Sequence, residues 1–194
     1  MYGMIDRLAR AFALLGGAVL SALVLLTCLS IAGRLINTVL HGGFAQTAMP
    51  GLADALLAAG VGPINGDFEL VEAGMAFAIF AFLPLCQLKG AHASVDVFAN
   101  RFRPLAHRVL SMIIDLTFAA ILILIAWQLF LGLLSKMNSG QTTFLLEFPL
   151  WWAYAFSLSG ALVAACVAAF VAAIRVVELM RDVDILPVAS EAEH

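Results

Sequence analysis

The chain alternates between long apolar runs and short polar intervals. No charged residue occurs from Ala11 to Gly33, and Arg34 closes that run. A second run opens with the acids Asp67, Glu69 and Glu72 and continues apolar from Ala73 to Leu88. A third carries a single charge, Asp115, between Val109 and Leu134, and a fourth opens with Pro149-Leu-Trp-Trp and reaches Ile174. A helix crossing a bilayer needs ~20 predominantly apolar residues, and each run supplies them. A helix that stays apolar on every face for this long is also rare in a soluble core, where one face meets water. The pattern predicts an all-α polytopic membrane protein with four transmembrane helices, over about 11–34, 68–88, 109–134 and 149–174.

The intervals give the topology. Residues 1–10 form an amphipathic lead-in with Asp6, Arg7 and Arg10. A secretory signal peptide would have an apolar core of only roughly 7–15 residues, so the first run reads as a retained span. The interval 37–65 is punctuated by Gly42-Gly43, Pro50-Gly51 and Gly62-Pro63, and 52–59 reads as a short helix lying along the membrane surface. This interval is longer than a bare hairpin requires, which predicts that it packs on something. The interval 89–108 carries Lys89, Arg101, Arg103 and Arg108, and its Val95, Val97, Phe98 and Phe102 predict a second interfacial piece before Pro104. Residues 175–194 form a charged tail. Eight of the ten basic residues fall in the termini and in 89–108, and only Arg34 and Lys136 fall on the opposite side. Positive charge marks the cytoplasmic face, which predicts both termini and 89–108 in the cytoplasm and 37–65 on the opposite face of a multi-pass membrane protein.

Composition agrees. Hydrophobic residues make up 63% of the chain and charged ones 12%, against roughly 25% charged in soluble domains. The mean hydropathy is +1.04. The net charge of −3 is too small to speak to nucleic acid, and with no basic patch interleaved with aromatics no nucleic-acid partner is expected. Cys28, Cys86 and Cys166 stand alone inside apolar runs, a spacing that suits packing rather than a disulfide framework or thiol chemistry. His41, His92, His107 and His194 fall in loops or tails, where they cannot ligate a haem inside a bundle. Neither a metal-binding helix motif nor a nucleophile elbow is present. The chain is expected to be no enzyme, with no cofactor and no catalytic or metal-binding residues.

The remaining polar residues are the candidates for function. Asp67 reads as a helix N-cap, and Glu69 and Glu72 sit where the positive end of the helix dipole favours acids. Leu83-Pro84 removes a backbone donor near the far end of that span. Intramembrane acids are costly and mark ion paths or partner contacts. Glu72 and Asp115 each have a second reading, Glu72 as an acid at headgroup level and Asp115 as one bonded to Ser111 or Arg108 a turn back. His92 and Asp96, four residues apart, share a face if helical; that spacing allows two ligands of a metal site, or an orienting His–Asp bond or helix cap. In the fourth run Ala161, Ala165, Ala169 and Ala173 recur every four residues, a small-residue stripe that admits another helix at close range. Four spans with no broken midplane segment and no inverted repeat make a poor transporter alone, so the chain reads as a subunit that needs a partner.

Glu69-Leu-Val-Glu72, the Phe/Leu-rich span after it, Gln87, Lys89-Gly-Ala-His92 and Val95-Asp96 resemble the small membrane subunit of tripartite ATP-independent periplasmic (TRAP) transporters, the DctQ-like family. The Pro149-Leu-Trp-Trp start of the fourth span is similar too, and the resemblance covers nearly the whole chain through the order and spacing of these motifs. Lys89 stands where many relatives have arginine, and the interval 37–65 is longer than in the family's shortest members. The resemblance implies a large permease subunit holding the sodium and substrate sites, a periplasmic substrate-binding protein, and uptake of an organic acid driven by ion gradients. It makes this chain a scaffold in contact with the large subunit and with membrane lipids, with Glu69, Glu72, Gln87, His92, Asp96, Asp115, Ala165 and Ala169 as candidates for the partner interface or for structure. The rivals from other classes are a membrane anchor of a redox enzyme and a small stand-alone channel or exporter.

Overall fold

The structure is a computed structural model that describes residues 2–42, 50–58, 60–90 and 104–181. Its helices are α1 (Tyr2–Leu40), α2 (Pro50–Ala58), α3 (Asp67–Lys89), α4 (Pro104–Ser139) and α5 (Trp151–Arg181). Helices α1, α3, α4 and α5 are long and apolar enough to cross a membrane. Helix α1 has 39 residues, about 58 Å at 1.5 Å per residue and roughly twice the hydrocarbon thickness. The amphipathic lead-in and Arg34 are therefore parts of the same rod as the apolar run. Helix α3 continues through the buried Pro84 and stops at Gly90, whose left-handed φ of 61° turns its N–H back onto the carbonyls of Cys86 and Gln87. The short helix expected over 52–59 corresponds to α2. His92, Asp96 and the expected piece at 95–102 lie outside the described residues.

Contacts at both ends fix the up-and-down course of the chain. Lys89, ending α3, lies 3.9 Å from Asp6 near the start of α1. Gln87 of α3 meets Asp115 of α4, and Asp115 meets Arg175 of α5. The start of α1, the end of α3, the early part of α4 and the end of α5 thus share one end of the bundle. At the other end Arg34 of α1 meets Asp67, the first residue of α3. The helices pack in the order α1–α3–α5–α4, with α1 touching α5 only lightly. This is a row with α3 and α5 inside it and α1 and α4 at its flanks. The burial follows that order, since α5 is the most enclosed span and α1 the most open.

Small residues set the crossings. A Cβ added at Gly16 of α1 would stand 2.9 Å from the Cβ of Ala81, and one at Gly160 of α5 would stand 2.9 Å from the Cβ of Phe80. The Phe80–Ala81 step of α3 is therefore clasped on two sides by glycines. In lipid, where no hydrophobic force draws helices together, such close approach supplies the dispersion contact that does. The alanine stripe of α5 is used the same way. Ala161, Ala164, Ala165, Ala168 and Ala172 are buried against Ala119, Leu122 and Ala126 of α4. Ala165 is thus spent inside the chain, whereas Ala169 is exposed. A second cluster joins Ala9 of α1, Leu88 of α3 and Val167 and Val171 of α5. The interval before α3 folds back onto α1, where the backbone carbonyl of Gly62 lies against Gly33 so closely that no side chain fits there.

These crossings give a paired expectation. Gly160→Ala forces a methyl against the Cβ of Phe80, which cannot swing away, and overpacking of this kind costs about 1–3 kcal/mol. Gly17→Ala on α1 meets only the ring tip of Phe82 at 4.0 Å and leaves stability unchanged or raises it. Thermal unfolding of the two variants in one detergent should separate them clearly.

Candidate functional site

Polar residues of different spans meet in two networks, one at each end of the row. At the end that holds the termini, the amide Nε2 of Gln87 donates to Asp115 Oδ1 at 2.9 Å. Arg175 Nε donates to Asp115 Oδ2 at 3.1 Å and Arg175 Nη1 to Glu178 Oε2 at 2.9 Å. Gln87 and Glu178 are buried and the Arg175 and Asp115 side chains are nearly so. Three helices are thereby tied by one carboxylate that accepts on both oxygens, and charge-assisted bonds of this sort exceed neutral ones. Asp115 finds its partners on the neighbouring helices α3 and α5. Arg175, first counted as a tail residue, is the cation that makes an acid tolerable at this depth.

The opposite end is organised by two acids of α3. The N-cap position belongs to Gly66 and not to Asp67, which is the first helical residue. The Asp67 carboxylate accepts from Ser30 Oγ at 2.5 Å, from the Phe68 N–H at 2.8 Å and from Arg34 Nη2 at 3.2 Å. It therefore ties α3 to α1 and gives Arg34 its place on a face poor in basic residues. Glu69 is buried, and its two oxygens accept the backbone N–H groups of Leu145 and Leu146 at 2.8 and 3.1 Å. Those residues form the tip of a hairpin between α4 and α5. It is closed by Thr143 N–H to Phe148 O at 2.8 Å, by Phe148 N–H to Thr143 Oγ1 at 3.1 Å and by Leu150 N–H to Gln141 O at 3.0 Å. The backbone turns at Glu147, a non-glycine with φ of 50°. Below the hairpin the Trp151 and Trp152 rings lie 5.3 Å apart, tilted by 42°, and Phe148 and Phe156 each lie 6.1 Å from Trp152, an aromatic group suited to headgroup level.

Glu72 differs from Asp67, Glu69 and Asp115. It is exposed, and among the described residues it has no hydrogen-bond or ion partner. It lines an open-sided cavity of about 470 Å³ between α3, α4 and α5. Among the described residues no group of three His, Cys, Asp or Glu side chains could hold a metal ion. Sequence patterns singled out Asp67, Glu69, Gln87 and Asp115 without their partners. The partners Ser30, Arg34, Arg175 and the Leu145–Leu146 backbone come from segments far along the chain, and only for the basic residues does charge sign hint at the pairing.

Two expected outcomes test the networks. Arg175→Ala removes the cation that Asp115 and Glu178 share; between an exposed and a fully buried pair, this costs about 2 kcal/mol or more. The double variant Arg175→Leu with Asp115→Leu should cost less than the sum of the two single variants, as read by unfolding in detergent. Glu69→Ala removes the acceptor of the hairpin tip, so amide exchange at Leu145 and Leu146 should accelerate strongly while α4 and α5 keep their protection.

The family comparison bears on all of these features together. A family model described as "Tripartite ATP-independent periplasmic transporters, DctQ component" matches residues 51–182, well over half of the chain. Neither a curated protein nor a solved structure matches the chain. The matched region runs from α2 to the end of α5 and so contains three of the four spans together with Glu69, Glu72, Gln87, Asp115 and Arg175. The chain belongs to the DctQ family, the small permease component of tripartite ATP-independent periplasmic transporters.

Proposed function

We propose that the chain is the scaffold subunit of a sodium-coupled importer of an organic acid in a bacterial inner membrane. It works beside a large permease subunit, which holds the sodium and substrate sites, and a periplasmic protein that delivers the substrate. Membership of the family is the observation that carries this reading. The geometry supports the scaffold role. Among the described residues α1, α3, α4 and α5 run unbroken, and their polar side chains are paired mostly in the two end networks. A transport pathway is usually built from interrupted helices whose freed backbone groups meet the solute at the midplane. The row α1–α3–α5–α4 is instead a wide, stiff plate with apolar flanks. Leu25 of α1 and Leu124 of α4, for example, are exposed.

Both termini lie on the cytoplasmic side in this proposal. The side with the termini carries Arg7, Arg10, Lys89, Arg108, Arg175 and Arg181, whereas Arg34 and Lys136 on the other side are each engaged, with Asp67 and with Gln141. Exposed Ala169 and the segment around His92 and Asp96 are proposed as contacts with the large subunit, a role for which Ala165 is not free.

The deciding experiment is recovery of the tagged chain from native membranes in mild detergent, followed by mass spectrometry. A large multi-span permease in about equal amount is the expected result. Recovery of the chain alone, or as a homo-oligomer, would overturn the subunit assignment.

A further inference from the structure

The cavity beside Glu72 has a polar rim and an apolar floor. Glu72, Ala76 and Phe80 recur at four-residue spacing and line one wall along α3. Leu129 of α4 contributes below, and Tyr154 and Ser157 of α5 stand opposite. Glu72 lies five residues into α3 and Ser157 six residues into α5, so both sit about 8–9 Å along their helices from the hairpin end. Ser157 is 3% exposed, and among the described residues its hydroxyl has no hydrogen-bond partner. A serine inside a helix ordinarily bonds back to the carbonyl four residues earlier. This hydroxyl, like the Glu72 carboxylate, is left to the cavity. Two polar groups at one depth thus face an apolar channel that runs toward the middle of the membrane.

We infer that this cavity is a binding site for a phospholipid with a primary ammonium head, phosphatidylethanolamine, taken from the leaflet on the hairpin side. The ammonium pairs with the Glu72 carboxylate, the Ser157 hydroxyl donates to an ester carbonyl, and one acyl chain lies along Ala76, Phe80 and Leu129. Size and shape select a lipid over a helix of another protein. A helix with its side chains is about 10–12 Å wide, so a single turn would fill a cavity of about 470 Å³. The hairpin residues Thr143 and Phe148 also line the cavity, and Glu69 holds their loop in place, which obstructs any rod running on past the outer end. A flexible chain with a compact cationic head meets both limits. The charge agrees as well, since a carboxylate in a low-dielectric setting attracts an ammonium and repels an anionic glycerol head. The site rests on the α3–α4–α5 geometry alone and stands or falls separately from the pairing with a large permease.

The test is native mass spectrometry of the full chain, reconstituted in nanodiscs with equal phosphatidylethanolamine and phosphatidylglycerol and then released. The wild-type protein should retain phosphatidylethanolamine in about tenfold excess or more, the ratio expected for one charge-assisted bond. Glu72→Gln, a substitution of the same shape at an exposed position, should bring the two lipids near parity, and Glu72→Lys should favour phosphatidylglycerol. Ser157→Ala should lower the total lipid retained without abolishing the preference. An identical lipid ratio in the wild type and Glu72→Gln would overturn the site. So would carbodiimide coupling of Glu72 to a lysine of another polypeptide in native membranes, because the acid would then face a protein.

Discussion

The structure depends on one constraint: a polar group in or near hydrocarbon must find its partner within the protein. Helix α3 shows how the chain meets it. Asp67 is paired to α1, Glu69 to the hairpin between α4 and α5, and Gln87 to α4. The shortest of the four spans is therefore bonded to α1, to α4 and to the hairpin that leads into α5. If these bonds are removed, the row keeps its apolar contacts but loses what sets the register between helices. The exposed ion pair of Arg34 adds little energy by itself. Its value is directional, because dispersion between smooth apolar helices has no strong preferred register.

The crossings divide the work with the ends. Gly16 and Gly160 bring α1 and α5 onto the two sides of Phe80–Ala81, and the alanine stripe of α5 brings α4 close. Close-packed small residues give contact over length, and the terminal networks give angle and register. Together they produce a plate and not a closed bundle, because α3 and α5 each have two neighbours while α1 and α4 sit at its flanks. A plate leaves more apolar area for lipid or for another subunit than a bundle of the same length does.

Much of this was legible in the sequence, and the parts that were not share a cause. Hydropathy locates the segments that cross the hydrocarbon, and four spans follow from it. It cannot see where a helix ends beyond the hydrocarbon, so α1 extends from residue 2 to 40 where the apolar run covers 11–34. Nor does it report pairings. Asp67 has the composition of an N-cap yet bonds to Ser30 and Arg34, 37 and 33 residues away, and Asp115 reaches across to Gln87 and Arg175 instead of back along its own helix. The small-residue stripe was recognisable as a helix-packing surface, but the identity of the packed helix was not, because α4 and a foreign helix demand the same alanines.

The acids show most sharply what a sequence withholds. Asp67, Glu69, Glu72 and Asp115 look alike in the chain, each an acid at or inside an apolar run. Three are answered by partners in their own chain, and those answers account for why they are affordable at their depth. Glu72 has no partner among the described residues, although it lies only three residues from Glu69. Helical geometry explains the difference: three residues turn the side chain about 300°, or some 60° away around the axis, enough to move it from beneath the hairpin to the cavity mouth. Glu69 and Glu72 both line that cavity, one as a support for its roof and the other as a free charge at its side. A carboxylate placed there attracts a cation. The depth and the apolar floor below it favour a cation that carries its own hydrocarbon.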